Sequence, residues 1–121
     1  MSPRFVPLRA HAAADFLVGA TFFGLPLLYD LPPAATAVSW AVAAVHLAMT
    51  LLTDYPAGLL KLIPLEAHLT AELVGGPLLV AAPWLAGFSA HRVATAVFVT
   101  WGVISFLTYF VTIRSVPRTA D

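Results

Sequence analysis

The chain of 121 residues contains no cysteine and few charged residues. Without cysteine it can form no disulfide, no thiolate metal site and no catalytic thiol. Charged side chains make up 10% of the sequence, with six acidic and six basic residues and a net charge of zero, whereas soluble domains carry about 25%. Because no basic cluster is present, we expect no nucleic-acid partner.

Apolar residues take the place of the missing charges. They make up 60% of the chain, and the mean hydropathy is +0.90. A soluble domain of this size buries only about two-thirds of its surface, so it would leave much of this apolar area in water. A lipid bilayer removes that cost. We therefore predict an integral membrane protein, in contact with the lipid bilayer, with one domain over residues 1–121.

Four apolar segments follow one another along the chain. Each is close to the ~20 residues that a helix needs to cross the hydrocarbon core. The segments do not alternate apolar and polar residues as membrane strands do, so we predict an all-α fold. Short turns at 30–33 and 87–92 predict two tight hairpins, and a longer connection at 53–67 joins them. The four segments cover about 11–28, 34–52, 68–88 and 93–113.

The two hairpins resemble each other in sequence. A shift of 57 residues superposes a histidine, an acid four residues later and a glycine four residues after the acid. Since each copy holds two spans, both copies would enter the membrane from one side as parallel repeats. We predict a four-transmembrane-helix bundle made of repeat one, about 11–53, and repeat two, about 68–113. The matching pairs are His11 and His68, Asp15 and Glu72, and Gly19 and Gly76.

The basic residues predict an orientation. Five of the six fall on one side of the predicted membrane, and loops rich in lysine and arginine stay in the cytoplasm. We therefore expect a protein of the inner (cytoplasmic) membrane with both termini in the cytoplasm. The five are Arg4, Arg9, Lys61, Arg114 and Arg118, and the sixth is Arg92.

One stretch of the second hairpin resembles a known family. It reads GGPLLVAAPWLAGF, and its Pro83-Trp84 followed by Gly87-Phe88 is similar to the motif of the SPW-repeat family of small bacterial membrane proteins. Alanine stands where that family has serine, and the first hairpin lacks the tryptophan. The resemblance implies the helical fold and the membrane location, and it implies no particular activity.

The two histidine–acid pairs are the main candidates for chemistry. Four residues apart, the members of a pair share one helix face, and an acid inside a span usually faces the bundle interior with a partner. If the repeat axis passes between the first and third spans, two imidazoles and two carboxylates converge, which suits zinc, iron or manganese. The alternative, which the sequence favours, is that the pairs only fix helix packing. The residues are His11, Asp15, His68 and Glu72.

Further residues are assigned supporting roles. Four polar side chains near the same membrane face are candidates for a second layer around the pairs, and three glycines are expected to let helices approach closely. The candidates for the second layer are Asp54, Tyr55, Tyr109 and Thr112, and the glycines are Gly19, Gly75 and Gly76.

His46, in the second span, has no histidine partner at its predicted depth. Bis-histidine haem ligation is therefore not expected. We expect His46 instead to form a hydrogen bond with a serine or threonine such as Ser105. No residue is assigned a catalytic role. The sequence favours a non-enzymatic bundle that packs with itself or with a larger membrane partner. The alternative is a protein that binds a divalent metal or a small ligand through the two pairs.

Overall fold

The computed structural model describes residues 4–114, and this part of the chain is helical without a strand. This confirms the predicted all-α class. Arg118, one of the basic residues used to predict the orientation, lies outside the described residues. The four helices are α1 (Leu8–Leu28), α2 (Pro33–Leu52), α3 (Leu65–Leu85) and α4 (Arg92–Val111).

Prolines and one glycine determine where the helices begin and end. Pro7 and Pro64 precede α1 and α3, and Pro33 occupies the start of α2, where a missing backbone N–H costs nothing. These helices therefore begin a few residues before the predicted apolar segments. The α3 helix ends before position 88, because Gly87 follows with a φ of 78°, which a residue with a side chain rarely adopts.

Three helices of the described part are long and apolar enough to cross a membrane: α1, α2 and α4. At 20 or 21 residues and about 1.5 Å per residue, each spans roughly 30 Å. The α3 helix has the same length, but its polar residues, among them Glu66 and Glu72, lower its hydropathy.

The distribution of polar and apolar side chains is the reverse of that in a soluble protein. Leu28 and Leu85 are each 79% exposed, whereas His11 and Asp15 are 2% exposed and His68 is fully buried. Soluble proteins bury leucine and expose charges. Outward-facing leucines and an interior that holds the ionisable groups are what an apolar solvent requires, so the bundle surface is suited to contact with lipid.

Within each hairpin, glycine allows close helix contact. A Cβ at Gly19 would lie 2.4 Å from the side chain of Leu47, and one at Gly76 would lie 2.6 Å from the backbone oxygen of Gly102. Gly75 differs from the expectation, since an added Cβ there would meet no atom within 4 Å. Gly75 therefore faces open space, and Gly102 is a packing glycine that the sequence did not indicate.

Aromatic residues fill the end of the bundle that holds the two hairpin turns. Phe98 of α4 contacts Phe22 of α1 and Phe88 of the second turn, with ring centroids 4.8 and 5.1 Å apart. All three rings are buried. Of the residues that resemble the SPW motif, Phe88 thus belongs to the core, while Trp84 is 59% exposed.

At the other end, short backbone links close the bundle. Val6 donates to the carbonyl of Val111 and accepts from Ile113. Ile63 donates to the carbonyl of Leu52 and accepts from Asp54. The segment before α1 is thereby joined to the end of α4, and the segment before α3 to the end of α2.

Candidate metal centre between the two hairpins

Two imidazoles and two carboxylates meet at the closed end of the bundle. His11 and Asp15 come from the first turns of α1, and His68 and Glu72 come from the first turns of α3. One ligand atom from each of these four residues lies within 4.8 Å of the other three. All four side chains are buried.

Each imidazole contacts both carboxylates. His11 Nε2 lies 3.0 Å from Glu72 Oε2 and 3.5 Å from Asp15 Oδ1. His68 Nε2 lies 3.2 Å from Asp15 Oδ2 and 3.2 Å from Glu72 Oε1. The four contacts use both oxygens of each carboxylate, whereas a set of one ligand atom from each residue lies within 4.8 Å. Ligands about 2.1 Å from a tetrahedral metal ion lie about 3.4 Å from one another, so a bound ion would draw this set together.

A threonine at the end of a helix orients each histidine. His11 Nδ1 lies 2.8 Å from Thr112 Oγ1, and His68 Nδ1 lies 2.7 Å from Thr53 Oγ1. Both histidines thus bind the hairpin to which they do not belong, because Thr53 follows α2 and Thr112 follows α4.

The threonine hydroxyls decide the tautomer of these histidines. Thr112 Oγ1 donates its hydrogen to the carbonyl of Thr108 at 2.6 Å, and Thr53 Oγ1 donates to that of Met49 at 2.6 Å. A hydroxyl has one hydrogen, so a threonine that donates to its carbonyl accepts from the imidazole Nδ1. His68 Nε2 in turn lies at hydrogen-bond distance, 3.2 Å, from Glu72 Oε1, where the carboxylate can only accept, so this contact requires a hydrogen on Nε2 or a cation between the two atoms.

His11 Nε2 is the unusual atom of this centre. It is buried and makes no hydrogen bond of acceptable geometry with any described residue, although Glu72 Oε2 is only 3.0 Å away. Buried polar atoms are normally paired. His11 Nε2 is therefore held by the charge of Glu72 at ion-pair distance, as Arg114 Nε is held by Glu66 at 2.7 Å.

Tyr55 closes the centre from the connection between the hairpins. It is 3% exposed, and its hydroxyl donates to Asp15 Oδ2 at 2.7 Å. Burial raises the pKa of Tyr55, and its hydrogen bond to the Asp15 carboxylate raises it further. The phenol therefore keeps its hydrogen and acts as a donor that holds Asp15 in place.

His46 is the residue that the sequence did not assign to this centre. Its Nε2 lies 3.2 Å from Asp15 Oδ1, and its ring centroid is 6.4 Å from that of His68. The side chain of His46 thus contacts Asp15, where the sequence predicted a hydrogen bond to Ser105. The repeat pattern gave no signal for it, because the residue 59 positions later is Ser105 rather than a histidine.

The two other candidates for the second layer lie away from the cluster. Asp54 has an exposed side chain, 3.9 Å from Lys61 Nζ. Tyr109 lies under the guanidinium of Arg114, whose carbon is 4.6 Å from the ring centroid, and Arg114 pairs with Glu66 at 2.7 Å. Of the polar residues considered for this layer, the structure thus places Tyr55 and Thr112 beside the four ligand candidates.

Comparison with known proteins adds no functional assignment. The chain matches no family model, no curated protein and no solved structure. Its function must therefore be inferred from the geometry of the buried cluster.

Proposed function

We propose that this protein is a membrane-embedded four-helix bundle that binds one divalent transition-metal ion, of the zinc class, between its two hairpins. His11, His68, Asp15 and Glu72 are the proposed ligands. The observation that carries the proposal is the convergence of four buried ligand side chains, one ligand atom of each lying within 4.8 Å of the others. Both imidazoles contact a threonine through Nδ1, which directs Nε2 toward the carboxylate oxygens.

Acceptors that face acceptors repel one another. An Nε2 without a hydrogen, 3.0 or 3.2 Å from carboxylate oxygens, is unfavourable unless a cation lies among them. A divalent ion supplies the two positive charges that Asp15 and Glu72 require in an interior of low dielectric constant. Donation of the other ring hydrogen to an oxygen is also what metal-bound histidines commonly do, because it fixes the tautomer and the ring orientation.

The proposal includes α3 as a fourth transmembrane helix and a parallel arrangement of two repeats. The lengths of α1 and α3 support it, since both are 21 residues. The backbone links support it as well, because Val6 bonds near Thr112 as Ile63 bonds near Thr53. The resemblance to the SPW-repeat family agrees with this topology. We place both termini in the cytoplasm, on the basis of the excess of basic residues that the sequence predicts for that side.

A second candidate function rests on the same contacts. If both imidazoles are protonated, Nε2 donates to the carboxylates, and two positive charges balance two negative ones without a metal. The cluster would then be an ion-pair network that holds the hairpins together, and the protein a structural bundle that packs with itself or with a membrane partner. Metal content decides between the two functions, because both use the same four buried side chains at the same contacts.

Metal analysis of the purified protein distinguishes the two. We expect the protein extracted in mild detergent, after chelator treatment and reloading with Zn²⁺ or Mn²⁺, to retain about one ion per chain by mass spectrometry. His11→Ala and His68→Ala should lose the ion, whereas His91→Ala should retain it, because His91 caps α4 at the opposite end. Elution volume and helical circular dichroism report whether each variant is folded.

Two outcomes would contradict the metal centre. One is folded wild-type protein that retains no metal in excess of the His11→Ala variant. The other is equal loss of metal from His91→Ala, which would indicate adventitious binding to surface histidines.

A further inference from the structure

A lateral groove of about 390 Å³ separates α2 from α3. Its walls are aliphatic, and Val45 and Leu78 at its rim are 61% and 59% exposed. The groove lies on the outside of the bundle, where the proposed topology places lipid. Volumes of this order accommodate small organic ligands. Six of the apolar residues that line it are Val38, Val42, Val45, Met49, Leu78 and Leu79.

The groove exists because the second hairpin has smaller residues than the first. Val18 and Phe22 are 3% and 0% exposed in the core beside α4. The residues 57 positions later are Gly75 and Leu79, which line the groove. A Cβ at Gly75 would meet no atom within 4 Å. The side chains therefore fill the space between α1 and α4 and leave the space between α2 and α3 open.

The groove has three polar lining residues: His46, Glu72 and Ser105. His46 contacts Asp15, and Glu72 is a member of the buried cluster. Ser105 and Glu72 line the groove on the side of the second hairpin, and Thr108 Oγ1 lies 2.8 Å from the Ser105 carbonyl and 3.4 Å from Glu72 Oε2. The groove therefore reaches the cluster next to a carboxylate, which can accept hydrogen bonds and cannot donate them.

We propose that this groove binds a lipid-soluble molecule with an apolar body and one hydroxyl group, that is, an alkylphenol or a long-chain alcohol. The aliphatic walls would hold the body, and the hydroxyl would donate to the Glu72 carboxylate. This inference rests on the proposed function, because it makes the metal centre the polar end of the site. A hydroxyl is the fitting head group, because it donates a hydrogen bond without bringing a charge out of the lipid.

Competitive photolabelling tests the proposal. The protein, in lipid nanodiscs and loaded with Zn²⁺, is labelled with a diazirine derivative of an alkylphenol, and the labelled peptides are identified by mass spectrometry. We expect saturable labelling on α2 and α3. 4-Hexylphenol should displace the probe at a concentration about tenfold lower than 4-hexylanisole, since a hydrogen bond to a charged acceptor is worth that factor or more. The anisole has the same apolar body and no donor.

A pair of glycine variants tests the location. Gly75→Val restores the residue type of position 18 and should abolish saturable labelling. Gly24→Val is the control, because a Cβ at Gly24 also meets no atom within 4 Å but lies on α1, and its labelling should match that of the wild type. Neither position belongs to the proposed ligands, so both variants should retain the metal.

The outcomes separate this inference from the metal proposal. Labelling that does not saturate, or that survives Gly75→Val, would overturn the site. Equal competition by the phenol and the anisole would overturn the hydroxyl recognition and leave only occupancy by lipid chains. Metal content is measured in the same samples, so a protein that binds the probe saturably without metal would refute the metal centre alone.

Discussion

The threonines that orient the two histidines provide the most specific test of the metal centre. Replacing Thr112 by valine keeps the shape of the side chain and removes its hydroxyl. His11 Nδ1, which lies 2.8 Å from that hydroxyl oxygen, would then be buried without this partner. We expect Thr112→Val to weaken Zn²⁺ binding, because the ring loses the contact that fixes both its tautomer and its orientation.

The size of the effect follows from two costs. An unsatisfied buried donor costs about 1–3 kcal/mol, and loss of a residue that orients a metal-bound histidine typically lowers metal affinity about 10- to 100-fold. Thr53→Val should have a similar effect through His68. Because both histidines contact the same two carboxylates, the effects of the two substitutions should not be additive in the double variant.

Competition with a chromophoric chelator measures this affinity in detergent at fixed pH. Thr70→Val is the matched control, because Thr70 also donates to the carbonyl four residues earlier, at 2.7 Å, but is exposed and contacts no histidine. We expect the control to bind Zn²⁺ as the wild type does. A Thr112→Val affinity equal to that of Thr70→Val would refute the reasoning, as would a lower melting temperature with unchanged affinity.

Three further predictions concern the surroundings of the centre. Burial raises the pKa of Tyr55 above the ordinary value of 10, so its contribution to stability should be complete below about pH 10 and should decline as pH rises from there toward the raised pKa. Unfolding by SDS should therefore show a smaller advantage over Tyr55→Phe at pH 11 than at pH 8, and an equal advantage at both would contradict the buried phenol. Gly76→Ala should lower the free energy of unfolding by about 1–3 kcal/mol through overpacking. Gly75→Ala should not, because a Cβ at Gly75 meets no atom within 4 Å. Equal losses of stability in the two variants would contradict the close contact of α3 and α4 at Gly76. In this cysteine-free chain, Ser89→Cys should react with an impermeant maleimide on intact spheroplasts and Asp54→Cys only after permeabilisation, and the reverse result would invert the proposed orientation.

The helical class and the approximate helix positions could be predicted because they depend on local composition. A run of about twenty apolar residues can satisfy its backbone within lipid only as a helix, wherever it occurs. Proline and glycine then indicate the turns. For this reason the predicted segments begin and end within a few residues of the observed helices. The spacing of His11 and Asp15 likewise indicated a shared helix face, because that relation depends only on helix geometry.

The composition of the centre was only partly accessible from the sequence. His46 lies 31 residues from Asp15 along the chain, and no local pattern relates the two. Thr53 contacts His68 from the end of α2, a relation that exists only once the second hairpin packs against the first. Such contacts depend on the separation and rotation of whole helices, which a period of 3.6 residues does not specify.

The sequence by itself determined that the chain requires an apolar solvent, forms helices, and carries two histidine–acid pairs at equivalent positions. Only the tertiary structure decided that these pairs meet, with His11 at 3.0 Å from Glu72 of the other hairpin. It also decided that one interhelical space is filled by Phe22 while the other stays open beside Gly75. The physical reason is that solvent preference and backbone hydrogen bonding act locally, whereas the match of side-chain volumes across the bundle is fixed only when all four helices are in place.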